Sequence, residues 1–400
     1  MEFFSGSSEA INTEAAVKEL VETALNGTSP NDIKLIFFHT AVGHKGQAII
    51  AAFKKMCPHA ELVGCTASGV IGRERVSEKL RVIAAMLMTG EKDEFATVAK
   101  DQIFGPNSHD VALAAAQELK NKLPNIKFIS VIASGVNLDA DKVIEGIESV
   151  FGKDVDIFGG TSGDQMQAKH TFQFHNETEM EHGIILAGFT WPNYEMIMLS
   201  HHGNKIMGDA MTITKIDHNR IWELDNKPAW HVLMDRLSLD YMTDFAKTIP
   251  LTALLVEIPE NLRTDYHNQV RVLTIFMADE KRESFYLPTN LPKGTKLWMS
   301  MRDEDFMFEG RDWQVNKILE KLHGRKPLAV FHTDCAARGK KTFDVIEKDH
   351  FVASMKNPIT QDDKSIPWLG MYGFGEFAKI GDSNLFSTQT SSLCVLVNKD

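Results

Sequence analysis

Lys34 to Gly72 reads KLIFFHTAVGHKGQAIIAAFKKMCPHAELVGCTASGVIG, and the order of patterns in it decides the fold. KLIFFH is a short, uninterrupted apolar run, as expected of a strand buried on both faces. TAVGHKG is a small polar loop. QAIIAAFKKM carries its apolar residues at helical spacing, and ELVGCTASGVIG returns to a strand that ends in glycine and small residues. Strand, polar loop, helix, strand and glycine-rich turn together make a βαβ unit, in which a helix links two parallel strands.

The same succession occurs twice more. The second copy begins at Lys127 with KFISVIASGVN, continues through a helix over about Ala140 to Val150 with Asp139 as its N-cap, and closes with DIFGGTSGDQM from Asp156 to Met166. The third begins at Pro327 with PLAVFHTDCAARGKK, has a helical stretch near Thr342 to Lys348, and closes with PWLGMYGFGEFAKIG from Pro367 to Gly381. Between the copies the pattern turns antiparallel. KHTFQFH, NETEMEHG and IILAGFTW read as a hairpin with a polar turn near Asn176. RVIAAMLM at Arg81 is a further strand. RVLTIFMA, ESFYLP and KLWMSM, between Arg271 and Met301, read as a meander with a turn at Pro292 to Gly294. The fold class is therefore α/β: two mixed-sheet domains with helices packed on the sheets, built from repeated strand-loop-helix-strand units plus antiparallel hairpins. LDNKPAW, before the helix WHVLMDRLS, places the joint near Asp225 to Pro228, giving domains 1–225 and 226–400.

Bulk properties exclude several function classes. The 400 residues suit two domains, and 43% apolar with 24% charged residues is ordinary globular composition. A net charge of -11 without any dense run of Lys and Arg argues against nucleic acid and anionic membrane surfaces as partners. No apolar run reaches membrane-spanning length, and MEFFSGSSEAINTEAA has no basic segment followed by an apolar one, so a cytoplasmic protein is expected. The four cysteines, Cys57, Cys65, Cys335 and Cys394, form no CxxC pair and read as reduced thiols.

The loops after the strands are where open α/β sheets bind ligands, which singles out His39, Ser134 and His332. DCAARGKKT is not a phosphate loop: Asp334 falls where the first glycine belongs and Lys341 where the magnesium-binding hydroxyl belongs. Ser68 and Ser162 sit in glycine-rich turns, but no base can be assigned to either. Cys57-Pro58 lies where the first helix ends, which explains its proline. His201 and His202 are adjacent, so on a strand they point to opposite faces.

Taken together, ELVGCTASGVIG, IFGGTSGDQ with the hairpin FQFHNETEMEHGIILAGF, IWELDNKPAW, and FHTDCAARG with PWLGMYGFGEF resemble the paired N-terminal and C-terminal domains of the FIST family across about Asn31 to Asn384. The resemblance implies a ligand-sensing module of signal transduction rather than an enzyme. Some stand-alone members carry haem, sense nitric oxide and control a histidine kinase or a cyclic-di-nucleotide enzyme. On that reading the cofactor is haem b, held by His332 or His231, and the partner acts in trans. A second reading is a receptor for a small metabolite such as an amino acid. The ligand-binding candidates overall are His39, Cys65, Ser134, Thr161, Ser162, Asp334, Cys335, Arg338, Tyr372 and Glu376; on this second reading Arg338 clamps a carboxylate while Cys65 and Cys335 are spectators. A third is an enzyme with Cys65 or Cys335 as nucleophile. The sequence leaves the oligomeric state open, a homo-oligomer included.

Overall fold

The structure is a computed structural model that describes residues 1–399 other than Phe276, Glu280, Lys341 and Asp344. Lys341 of the rejected phosphate loop thus lies outside the described residues.

The architecture is mixed α/β with four sheets among the described residues, and three of them are built on one plan. In each, an opening strand, a closing strand and a parallel pair lie side by side. The first sheet runs Phe3–Ser8, Ile83–Met88, Leu35–Thr40, Glu61–Thr66. The second runs Phe95–Lys100, Ile184–Phe189, Phe128–Ala133, Asp156–Thr161. The third runs Tyr194–His202, Thr390–Asn398, Ala329–Cys335, Trp368–Gly373. The parallel pairs, with Phe37 opposite Val63, Ser130 opposite Phe158 and Phe331 opposite Leu369, are the strand pairs expected from the repeated unit.

Two helices cover the outer face of each sheet: Thr13–Leu25 and Gly46–Met56, Ser108–Lys122 and Ala140–Phe151, Glu304–Leu322 and Val345–Thr360. Their starts use ordinary capping chemistry. Asn12 Oδ1 accepts from Ala15 N, and Asp139 accepts from Lys142 N as its position in the sequence predicts. The last helix is longer than the stretch near Thr342 to Lys348 suggests. It starts later and runs through Pro358, which lies in its final turn.

The inner faces of the three sheets meet in one apolar core. Phe37, Phe158, Phe189 and Phe331 form its centre, with Phe37 6.1 Å from both Phe189 and Phe331, and Phe158 5.4 Å from Phe331. Each such ring contributes about 1.5–3 kcal/mol by leaving water.

The hairpin after each parallel pair leaves its own unit and completes a neighbouring sheet, an exchange that the sequence pattern does not announce. Val70–Gly72 pairs with Trp368–Gly373 of the third sheet, Gln173–His175 with Glu61–Thr66 of the first, and Gly375–Ile380 with Asp156–Thr161 of the second. The glycine-rich turns at the crossings bond cyclically. Ser68 N donates to Tyr372 O, Gly163 N to Thr66 O and Phe374 N to Thr161 O, at 2.8, 2.9 and 3.2 Å.

The fourth sheet is an insertion between the third unit's opening strand and its first helix. Its strands lie in the order Val270–Thr274, Ala253–Glu257, Lys296–Arg302, Asn204–Asp217, Arg220–Leu224, Phe285–Tyr286, Met277–Ala278. This corrects the expected meander. Ala253–Glu257 lies between Val270–Thr274 and Lys296–Arg302, because a strand upstream of Arg271 supplies the apolar run that pairs with both. The turn at Pro292 to Gly294 forms as expected, with Thr295 N donating to Pro292 O.

Gly135 shows how tight the turns are. A Cβ there would stand 1.9 Å from Ser162 O, which is backbone and cannot rotate away. Gly135→Ala is expected to destabilise the protein by roughly 3 kcal/mol, the upper part of the range for overpacking, measured as a lowered urea midpoint at unchanged slope.

Candidate functional site

The loops after the first strands do not converge on one another; each makes bonds within its own unit, while Lys340 of the third also reaches Glu78 of the first and Asp139 of the second accepts from Asn290 N of the inserted layer. Gly43 N donates to Leu80 O, Gly135 N to Thr171 Oγ1, and Arg338 Nε to Asp334 Oδ1. The glycine-rich turns meet instead, and they meet backbone to backbone. Ser162 donates to Ala133 O and accepts from Gln173 Nε2, so it is held as a structural hydroxyl. Ser134 Oγ donates to Val136 O, and Ser134 and Thr161 share only a slit of about 30 Å³.

His39 and Cys65, opposite each other in the first parallel pair, point into the central core. His39 Nδ1 is 3.4 Å from Cys65 Sγ, and Cys65 Sγ is 3.6 Å from Met371 Sδ. Burial lowers His39 to about 3, so the imidazole is neutral. Burial also raises all four thiols, Cys57 to about 11 and Cys65, Cys335 and Cys394 further. None has the depressed pKa of an activated nucleophile.

The third unit differs. At the register positions held by Thr40 with Thr66 in the first pair and Ala133 with Thr161 in the second, it places Asp334 with Tyr372. Asp334 is fully buried. Burial opposes its ionisation, but Arg338, 2.8 Å away, and His332, 3.5 Å away, outweigh burial and hold the carboxyl below its usual range. Glu376 comes from the exchanged hairpin into the same region. Burial first, then the Asp334 charge, raises it well above the ordinary carboxylate value, so it holds a proton. Burial and Asp334 raise Tyr372 likewise. Cys335 lies beside Glu376.

Distant segments complete this cluster. His201 and His202 pair with Ser391 and Thr390, and both lie within electrostatic reach of Arg338. Gln314 Nε2 donates to Ser391 O, and Tyr266 lies beside Ser387 and within reach of the Glu376 carboxyl. Arg302 reaches Gln389 Oε1 at 3.5 Å and feels both Cys335 and Arg338. It also lines a cavity of about 300 Å³ with Thr342 and Phe343, on the flank of the cluster.

Among the described residues, fourteen buried side-chain polar atoms have no hydrogen-bond partner. Seven of them belong here: His201 Nε2, Tyr266 OH, Gln314 Oε1, His332 Nδ1, Arg338 Nη1, Glu376 Oε1 and Ser387 Oγ. Native interiors leave few such atoms, each costing about 1–3 kcal/mol. The seven here belong to segments that surround Asp334, Arg338 and Glu376 at the ends of the third unit's strands. His201, Tyr266, Gln314 and Ser387 escape a reading of the sequence because each sits alone in its own segment.

The two histidines expected to hold haem do not fit it. His332 Nε2 is 3.0 Å from Ser391 Oγ and 3.5 Å from Asp334, and its ring stands edge-on to Trp368 at 5.8 Å in a sealed interior. His231, on the helix Ala229–Arg236, packs 4.5 Å from Tyr241 in the inserted layer. Neither borders any of the cavities of about 30, 300, 450 and 1100 Å³. A haem needs an apolar slot open at an imidazole nitrogen. Among the described residues no group of three or more His, Cys, Asp or Glu side chains could hold a metal ion.

The chain is thus a repeated α/β frame with a buried polar cluster at the strand ends of its third unit. The FIST N domain matches residues 34–227 and the FIST C domain residues 232–379, so the chain belongs to the FIST family, whose members are sensory ligand-binding domains of signalling proteins. Two uncharacterized proteins of Mycobacterium tuberculosis, from strains CDC 1551 / Oshkosh and ATCC 25618 / H37Rv, are each 19% identical over 358 residues, 89% of this chain and 89% of theirs. Among solved structures, the cyanuric acid hydrolase from A. caulinodans is similar at TM-score 0.38 and 9% identity, covering 100% of this chain and 99% of that one. A second cyanuric acid hydrolase gives 0.33 at 9% identity with the same coverage. Likenesses so distant carry no activity over to this chain. No helix of the described residues is long and apolar enough to cross a membrane.

Burial sets the pH response. His39, His201 and His202 are lowered to about 3, 2 and 4 from the ordinary 6.5, so the folded state keeps them neutral while the unfolded chain takes up protons. The stability they contribute is present above pH 6.5 and lost as pH falls from there toward the folded values. Urea midpoints at pH 7 and pH 5 are expected to differ accordingly, and His39→Gln to reduce that difference.

Proposed function

We propose that the chain is a receptor for a small zwitterionic metabolite, an amino acid or close analogue, and that it signals through a partner protein in trans. The observation that carries this reading is the set of seven unpartnered polar atoms around Arg338 and Glu376. Arg338 Nη1 is a charge-carrying donor with nothing to donate to, suited to a carboxylate. Glu376 Oε1 accepts nothing, and its carboxyl gives up its proton when an ammonium approaches. A carboxylate and an ammonium on one small body satisfy both. The flanking cavity beside Arg302, about 300 Å³, suits a ligand of that size.

The family match supports the sensory role, and the raised thiols support binding rather than cysteine catalysis. Because the ligand completes a cluster drawn from the third sheet, the inserted layer and the exchanged hairpin, its arrival changes how those parts are held together. A histidine kinase or cyclic-di-nucleotide enzyme would read that change.

A thermal-shift screen of the purified chain against the common amino acids is expected to find at least one that raises Tm. Isothermal titration should then show Arg338→Met and Glu376→Gln each weakening it by roughly 10–100-fold, the loss of one charge-assisted hydrogen bond. The matching amine without its carboxylate should not bind. A screen with no hit, together with an intense Soret band on adding haem, would replace this reading by the haem one.

A further inference from the structure

The hairpin Val70–Ser77 and the helix Val345–Thr360 enclose a groove of about 1100 Å³, which shares no lining residue with the cavity beside Arg302. Lys356 crosses it. Its Nζ donates to Gly72 O and Arg73 O, both at 2.7 Å, and stands 5.6 Å from the Trp368 ring. An ammonium has three N–H donors, so one remains. Among the described residues Lys356 has no ion pair; its fixed contacts are two neutral carbonyls and an indole. Nearby, Arg75 Nε is a buried donor without a partner, and the Arg75 guanidinium only touches Glu19 at 3.8 Å. The other charges along the groove are largely matched: Arg73 with Glu74 at 2.5 Å, and Lys348 with Glu78 and Asp349, both at 3.6 Å. Val76, Val352 and Ile366 supply an apolar wall.

We propose that this groove is a second ligand site, distinct from the Arg338 cluster, which binds an organic anion, a carboxylate or phosphate on an apolar body, seated on Lys356 and Arg75. The anion accepts the third Lys356 N–H and the Arg75 Nε–H, and its body covers the valine and isoleucine side chains. The protein gives Lys356 two carbonyl oxygens and no carboxylate at ion-pair distance, so a bound anion supplies its direct counter-charge.

Binding at this groove is linked to protons. Burial lowers Lys356 to about 8, while Glu74 on the hairpin favours the charged form and Arg73 beside it opposes it; Arg75 from the same hairpin, Glu9 after the first strand, Lys348 and Asp349 from its own helix, and Asp362, Asp363 and Lys364 just past it also line the groove. A bound anion favours the ammonium, so binding takes up protons near pH 8 and weakens as the pH rises above it.

The test is isothermal titration of the full chain with phenyl phosphate and with benzoate at pH 7 and pH 9. The proposal expects one of the two to bind at pH 7 and to weaken by about 10-fold at pH 9, which also decides between phosphate and carboxylate. Lys356→Met should lose that binding by at least about 10-fold, while Lys18→Met, an exposed lysine of the first helix, should not. Lys356→Arg, which stays charged, should bind with little change between the two pH values, and it carries the test if the Met variant does not fold. The proposal is overturned if neither probe binds at pH 7, if Lys356→Met binds as the unmodified chain does, or if inorganic phosphate binds as tightly as the phenyl compound.

Discussion

Everything in this molecule depends on the exchange of hairpins around the three glycine-rich turns. A sheet made only of an opening strand, a closing strand and a parallel pair would present the second parallel strand as an open edge, with a row of unpaired backbone groups. Each unit closes the edge of another with the hairpin that comes after its own turn, and the exchange runs in a ring: first to third, second to first, third to second. The turns that make the crossing come so close that Gly373 faces Thr161 O, where a Cβ would stand 2.6 Å away. Glycine is needed there for backbone approach to backbone. The small residues that look from sequence like a cradle for a ligand are in fact the seal of the frame.

A repeated frame lets its units diverge chemically without changing their geometry. The equivalent positions Thr40 with Thr66, Ala133 with Thr161 and Asp334 with Tyr372 carry hydroxyls, then methyl and hydroxyl, then an acid and a phenol. Only the third pair introduces a charge, and that charge requires Arg338 four residues on and His332 two residues back to remain buried. The exchanged hairpin then adds Glu376 to the same enclosure. The apolar core at the centre carries no such charge: there neutral His39 lies against Cys65.

The parallel strands are legible in the sequence because burial on both faces leaves uninterrupted apolar runs: KLIFFH, FISVIA and the run from Ala329 show it directly. The opening strands are not. Phe3–Ser8, FFSGSS, is small and polar, yet nearly all of it is buried, because sheet neighbours satisfy its backbone and Ser5 Oγ accepts from Trp368 N. The hairpin exchange is invisible because a hairpin's internal pattern is the same whichever sheet it joins. In the site, Asp334, Cys335, Arg338, Tyr372 and Glu376 stand out because they sit in two compact motifs. His201 and His202 do point to opposite faces of their strand, as their adjacency requires. Their place in the cluster is hidden because both faces of that strand are interior, which depends on the inserted layer and the helix Glu304–Leu322 rather than on local sequence.

On the proposed reading, the energetics of the cluster would connect binding to signalling. A folded domain is stable by only about 5–15 kcal/mol, and each buried polar atom left unsatisfied costs about 1–3 kcal/mol. Seven such atoms on the segments around Arg338 and Glu376 would offset a large part of that margin, so on the proposed reading these segments are the ones a ligand would tighten. A ligand that supplies both an acceptor for Arg338 and a donor for Glu376 removes several of these costs at once, and the gain appears as tighter closure of the segments that bring the atoms together. The Ala336–Arg338 turn is the strategic one. It presents Arg338 inward, while Lys340, two residues on, is tied to Glu78 of the first unit's exchanged hairpin through its N–H at 2.6 Å. That bond, from a backbone N–H to a side-chain carboxylate, links the turn that carries Arg338 to the first unit, and on the proposed reading it is the route by which a ligand at Arg338 would act on another repeat.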